Sequence, residues 1–447
     1  MHRTLGAALV IALGAVSACG SKTALLAPTE DAAALPAVDA GTDPTPVVTV
    51  AVPYRAPPGP RRIVVPLGAN LAQVDVALVM DTTGSMGASI LNLKSNLSTR
   101  LLPSLKEAIP SVAIALLEHK DYPVDPFGSL GDFPARVVQT ATTDVGLAQK
   151  GVGFYLADGG GDEPEGQIPA MWFALTGGAL RWDGGEVPTH RSGPGRWGAA
   201  DFRAGSMPVV VLITDADWHD VDHEPYDARI HGPPGHAELA AAFEATHAKF
   251  IDVTNGSTRA PEAQAEALSD ATGSSVPTAA FGGRCGGECC TGIGGAPRAP
   301  SAPGGRCRLD FLHDDGSGVS DSVVQAIRAL LVGSVVDVAA LVASDPINAG
   351  GVDATAFIQA LRALEEGDVA ERCEPHRAVD TNGDGVLDTF VEVMLGTRVC
   401  FELLARENDV VPALSTAQSF DAWLDFVAMP GAMKLERHVV RFEVPAR

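Results

Sequence analysis

The sequence predicts an α/β fold, in which a doubly wound, mostly parallel sheet over residues 70–332 precedes a β-rich, sandwich-like region over 333–447. Two patterns carry that expectation. Apolar runs short enough for buried strands alternate with helical stretches in the first region, and β-branched segments bounded by Gly follow beyond Val332.

The first strand of the α/β region is Val74 to Met80, apolar enough to be covered on both faces. It leads into a turn and an amphipathic stretch from Ala88 to about Leu102. Further strands are expected at Val112 to Leu117, Val209 to Ile213, Phe250 to Val253 and Leu309 to Leu312. Helices fall between or after them at Gln167 to Leu175, Ala237 to His247, Pro261 to Thr272 and Val319 to Val332. In the β-rich region, strands are expected at Ser334 to Val342, Val399 to Leu404 and Val439 to Val444, with one helix from Ala354 to Glu366. Residues 47–65 also look strand-like and are suited to complete that region, which would make the α/β part an insertion.

With 447 residues the chain is long enough for more than one core. Its 32 basic and 55 acidic residues give a formal charge of −23, which disfavours nucleic acid and anionic membrane surfaces and favours cations as small partners. The 48 Gly and 32 Pro cluster in particular stretches, so long loops and linkers are expected.

Residues 1–19 read as an export signal: His2 and Arg3, an apolar run from Leu5 to Val16, then small residues. The run is too short for a membrane span. Its end, Val16-Ser17-Ala18-Cys19, resembles the lipobox of bacterial lipoproteins, which implies a bacterial source and a diacylated Cys19 as mature N-terminus. Such an anchor holds a protein to a bilayer without a transmembrane helix. Gly20 is not an Asp-type retention signal, so the outer membrane is the expected location. Residues 20–60, rich in Ala, Pro, Thr and Asp, suit a flexible tether.

Six further cysteines remain, and an even number in an exported chain reads as disulfides. Cys285, Cys289, Cys290 and Cys307 share one Gly/Pro-rich loop over 284–307, which suggests two local bridges and a separate Cys373–Cys400 bridge. The alternative is a zinc site in which the four loop cysteines supply thiolates.

In open α/β sheets, ligands bind in loops beyond the carboxyl ends of strands. The first such loop is Asp81-Thr82-Thr83-Gly84-Ser85-Met86. It offers a carboxylate and two hydroxyls at alternate positions, and Gly84 permits the bend that turns three oxygens toward a hard cation. This loop resembles the D-x-[S/T]-G-S signature that opens the metal-ion-dependent adhesion site of von Willebrand factor A domains, whose sheet is doubly wound and Rossmann-like. The loop Gly159 to Gly166, with Asp162-Glu163-Pro164-Glu165, is similar to the D-x-P-E-G stretch of integrin β A-like domains, and Thr214-Asp215 resembles the family's strand-T-D segment. The resemblance covers roughly Val74 to Val332. It implies that Asp81, Thr83, Ser85, Glu165 and Asp215 hold one Mg²⁺ or Mn²⁺, directly or through water, with Asp162 serving a possible second cation. Ala88 and Ser89 stand where integrin β domains carry paired acids, so an adjacent inhibitory calcium site is not expected.

Two other segments carry metal-like patterns. His219-Asp220-Val221-Asp222-His223 spaces two histidines as zinc-peptidase helices do, but Asp220 replaces the general-base Glu and Pro225 breaks the turn, so a hydrated acidic loop is expected. Asp380, Asn382, Asp384, Val386 and Asp388 fall at positions one, three, five, seven and nine of an EF-hand-like loop with Gly385 at six. Val391 replaces the bidentate Glu at position twelve, so the segment 380–388 looks more like the short Ca²⁺ loops of thrombospondin type 3 or dockerin modules; the alternative is a plain Asn/Gly turn.

No G-x-S-x-G elbow surrounds Ser85, and no general base is identifiable, so an enzyme is not expected. The function expected is a lipid-anchored envelope protein that binds a protein or other ligand presenting an acidic group, through a cation. The alternatives are a structural or assembly component whose metals only stabilise the fold, and a metal-dependent hydrolase.

Overall fold

A computed structural model of the protein describes residues 47–255, 260–281, 290–291, 297–313 and 315–447. The export signal, Cys19, most of the 20–60 tether, Cys285 and Cys289 lie outside the described residues. In chain order the principal strands are β1 (Val47–Ala51), β2 (Arg62–Gly68), β3 (Gln73–Asp81), β4 (Ser111–His119), β5 (Arg136–Thr142), β6 (Met207–Thr214), β7 (Lys249–Asn255) and β8 (Asp310–His313). There follow β9 (Val335–Ser344), β10 (Ile358–Ala363), β11 (Ala378–Val379), β12 (Thr389–Met394), β13 (Arg398–Ala405), β14 (Gln418–Met429) and β15 (Met433–Val444).

Six strands form a mixed sheet in the order β8-β7-β6-β3-β4-β5. Its pairings are parallel except at the edge, where β5 runs antiparallel to β4. The central strands are mainly apolar because both faces are covered: Val74, Val76, Leu78 and Met80 of β3 enter one core while Ala77 and Val79 enter another. Helices Gly87–Asn96 and Val319–Gly333 bury their apolar sides in the first core. Helices Gln167–Thr176, His236–Thr246 and Ala260–Ala271 contribute to the second. Register sets Asp81 beside His119, so the carboxyl ends of β3 and β4 finish level, and Met80 beside Ile213 brings in the end of β6.

The remaining strands form two further sheets, β1-β15-β14-β9-β12-β11 and β10-β13-β2. Their pairings are antiparallel apart from β1, which lies parallel to β15. Phe401 of β13 meets Phe390 of β12 at 5.1 Å and Phe426 of β14 at 5.2 Å between ring centroids, so the two sheets share an aromatic core. Both β1 and β2, which precede the mixed sheet, pair with strands that follow it.

One expected element is overturned. The segment Ala354 to Glu366 is not a helix: a short 3₁₀ turn at Ala354–Phe357 leads into β10, which pairs antiparallel with β13. Its Ala, Leu and Gln content favours a helix, but the pairing with β13 supplies backbone partners and buries Ile358 and Ala363, and this tertiary gain exceeds the few tenths of a kcal/mol per residue at stake in propensity.

Two disulfides are present, Cys290–Cys307 and Cys373–Cys400. The second joins the segment before β11 to β13. The first removes two of the four thiolates that the zinc alternative required, because a bonded sulfur is not an available thiolate ligand. Among the described residues, no helix is long and apolar enough to cross a membrane.

Candidate functional site

Asp81 closes β3 and is fully buried. Its Oδ1 accepts from the Thr83 backbone N–H at 2.9 Å and the Thr83 hydroxyl at 2.7 Å, which folds the loop back over the strand end. Its Oδ2 accepts from the Thr214 hydroxyl at 2.8 Å. Thr214 is held in turn by the Gln167 amide at 2.9 Å, so β3, β6 and helix Gln167–Thr176 are joined through one carboxylate. The exposed Ser85 hydroxyl donates to Asp215 at 3.0 Å and lies 3.5 Å from the Thr83 hydroxyl. Asp81, Thr83, Ser85 and Asp215 therefore form one continuous polar network.

Glu165 approaches the same network from the loop 158–166. A Cβ on Gly160, whose φ is +90°, would sit 3.2 Å from Glu165 Oε1 and 3.5 Å from Thr83 Cβ, so only a glycine lets these two residues draw together. The loop is held by the Glu165 N–H on the Asp217 carbonyl at 2.8 Å and the Gly166 N–H on the Lys120 carbonyl at 3.0 Å. The Lys120 ammonium adds a bond to the Thr82 carbonyl at 2.6 Å and an ion pair with Asp158.

Glu165 is 4% exposed and its Oε2 has no hydrogen-bond partner. Burial, and then the charge of Asp81, push its carboxyl up to about 10. The same causes in the same order push Asp215 up to about 6. Carboxylates crowded this way resist ionisation until a cation joins them, and the orphan Glu165 oxygen is a vacant acceptor for one. All five side chains offer oxygen, which suits Mg²⁺ or Mn²⁺. The carboxylates of Asp81, Glu165 and Asp215 do not come within 4.8 Å of one another as a set; the Thr83 and Ser85 hydroxyls stand between Asp81 and Asp215.

The structure places Asp162 elsewhere. Its Oδ1 lies 3.6 Å from His219 Nε2, which is also 3.4 Å from Asp121 Oδ2. His219 is 1% exposed, so the hydrated loop expected at 219–223 is corrected there: Phe127 and Tyr226 stack around its ring at 5.3 and 4.3 Å and exclude water. The rest of the segment fits that expectation: Val221 and Asp222 are exposed, and His223 has a half-exposed side chain 3.3 Å from Asp217.

The loop 380–388 is exposed and its acids already have partners. Asp380 accepts from the Gly383 and Gly385 N–H groups at 2.7 and 2.8 Å, Asn382 from Asp384 N–H at 2.9 Å, and Asp384 from Val386 N–H at 2.8 Å. Asp388 accepts from the Thr381 hydroxyl at 2.7 Å. The Gly385 amide bond is the first cause that holds the Asp380 carboxyl below its usual range. At the position of the missing integrin-type acids, Ser89 is buried and accepts from the Asn255 amide at 2.6 Å, a packing role.

Sequence reasoning missed Thr214, Gln167, Lys120 and Asp121. Thr214 stood in the quoted strand-T-D segment and only its bond to Asp81 went unseen; Lys120 and Asp121 follow β4 with no pattern around them, and only the level strand ends bring them to the site.

No family model and no curated protein matches the chain. Among solved structures that resemble it is proximal thread matrix protein 1 from the mussel byssus, 9% identical over 60% of this chain and 48%, about half, of the other, with a TM-score of 0.31. That likeness is too slight to bear on fold or function.

Proposed function

We propose that residues 70–332 form a von Willebrand factor A-like domain with a doubly wound sheet, carried by a lipid-anchored protein of a bacterial envelope beside a C-terminal sandwich. In this reading Asp81, Thr83, Ser85, Glu165 and Asp215 hold one Mg²⁺ or Mn²⁺, and a protein or other ligand captures the domain by adding an acidic group to the ion's shell. The observation that carries it is the buried Glu165, whose Oε2 has no partner and whose carboxyl feels the charge of Asp81, beside the Asp81–Thr83–Ser85–Asp215 network where adjacent strands end. The ion would supply a fixed positive charge for a carboxylate to bind.

A cation-dependent pull-down from envelope extracts, wild type against Asp81→Ala, tests this. Capture lost both in chelator and in the variant supports the reading; capture equal in all three conditions defeats it. Mass spectrometry of the exported protein tests the anchor, where an unmodified Cys19 at the mature N-terminus, or cleavage elsewhere, would refute it.

A further inference from the structure

We infer that Lys249 and Arg306 hold the carboxylate of a small amphiphilic anion in a cleft between the mixed sheet and the sandwich. The cleft is open to solvent, has a volume of about 440 Å³ and lies where β6 and β7 begin, at the opposite end of the sheet from Asp81. That volume falls in the range of small-molecule sites, which combine mostly apolar walls with a few convergent polar groups. No residue of the cleft belongs to the Asp81 set, so the inference stands apart from the proposed function.

Both cations lack a counter-charge. Among the described residues no carboxylate forms an ion pair with Lys249 or Arg306, although the chain carries 55 acidic against 32 basic residues. The acids nearby are taken by other arginines: Arg298 pairs with Glu262 and Asp310, and Arg308 with Glu266 and Asp270. Burial, and then the charge of Arg306, hold the Lys249 ammonium below its usual range, and burial does the same to Arg306. A bound anion relieves both. Glu244 and His247, the other ionisable groups that line the cleft, are exposed to water.

The donors suit one carboxylate. Arg306 is fixed by Ser275, whose hydroxyl accepts from Nε at 3.0 Å and whose carbonyl accepts from Nη2 at 2.5 Å, which leaves Nη1 as a free donor. The Lys249 ammonium donates only to the Gly273 carbonyl, at 3.5 Å, and so has donors to spare. The walls are apolar and come from both regions: Met207 and Phe243 on the side of the mixed sheet, Met429, Pro430 and Met433 on the side of the β14–β15 hairpin. A charged head at Lys249 and Arg306 with an apolar body along the methionines matches that division.

The test is calorimetry on the full chain with octanoate, octanol and inorganic phosphate. Wild type should bind octanoate at one saturable site. It should bind more weakly both octanol, which has the same chain without the charge, and phosphate, which has charge without a chain. Lys249→Met keeps the apolar stem and removes a half-buried charge, so the protein should fold at least as stably. The variant should weaken octanoate by roughly 10-fold or more and leave octanol unchanged, and Arg306→Gln should act in the same direction. Chelator should alter neither affinity. Equal octanoate affinity in wild type and folded Lys249→Met, octanoate no tighter than octanol, or no saturable binding by wild type would overturn the inference and leave the two cations as partners of the Gly273 and Ser275 carbonyls. Phosphate bound as tightly as octanoate would overturn it too, because the apolar walls would then contribute nothing.

Discussion

The loops at Asp81 and at Asp380 both present carboxylates and hydroxyls at close spacing, yet the fold treats them differently. At Asp81 the strand ends bury the acids and bring in Glu165 from a distant loop, leaving one oxygen without a partner. At Asp380 the acids stay exposed and are satisfied by the loop's own amides. A spacing motif therefore gives the chemistry available, and burial with unfilled acceptors gives the need for a cation. The contrast leads us to expect tight cation binding at the first loop and at most weak Ca²⁺ binding at the second.

The largest effect should come from pH. In chelator, the folded protein holds a proton on Glu165 that the unfolded chain releases above about 4.5, while the folded group titrates near 10. Stability of the metal-free protein should fall between those limits as pH rises, by at most about 1.4 kcal/mol per pH unit. Melting in chelator at pH 5 and pH 8 measures the slope, which Glu165→Gln should flatten; a slope equal in variant and wild type would remove Glu165 as the strained group. Saturating Mg²⁺ should abolish the slope.

Removing the Cys373–Cys400 bond comes next. It closes a loop of 27 residues, and Cys373→Ser with Cys400→Ser should cost about 3.5 kcal/mol by denaturant unfolding. Because that bond flanks the Asp380 loop and not the Asp81 loop, cation affinity at Asp81 should not change. A coupled loss would show that the two regions are not independent.

Thr214→Val removes the donor to Asp81 Oδ2 and the acceptor of the buried Gln167 amide, and should cost about 1–3 kcal/mol in melting experiments while weakening cation binding. The smallest effect belongs to Asp380→Asn. Its melting temperature without Ca²⁺ should fall only slightly, because an exposed carboxylate loses one of its two amide bonds, and any small Ca²⁺-linked rise should disappear. A Ca²⁺-linked rise as large as that given by Mg²⁺ would erase the contrast between the loops.

Much of the mixed sheet was legible because strands buried on both faces need apolar runs, as at Val76–Met80 and Val209–Ile213. Asp81, Thr83, Ser85 and Asp215 were legible because they directly follow such runs. The strand at 358–363 was not, since only pairing with β13 distinguishes it from a helix. The long hairpin of β14 and β15 was seen only at its last residues, although Pro430-Gly431 marks its turn. His219 was misjudged because the rings that bury it, Phe127 and Tyr226, stand on separate loops.

Mn²⁺ titration of the chelator-treated chain by calorimetry, comparing wild type with Asp81→Ala and Thr83→Val, tests the central claim most directly. The account predicts one tight Mn²⁺ that is lost in Asp81→Ala and weakened in Thr83→Val, where the shape remains but a metal-facing oxygen is gone. Unchanged Mn²⁺ binding in both folded variants would contradict it.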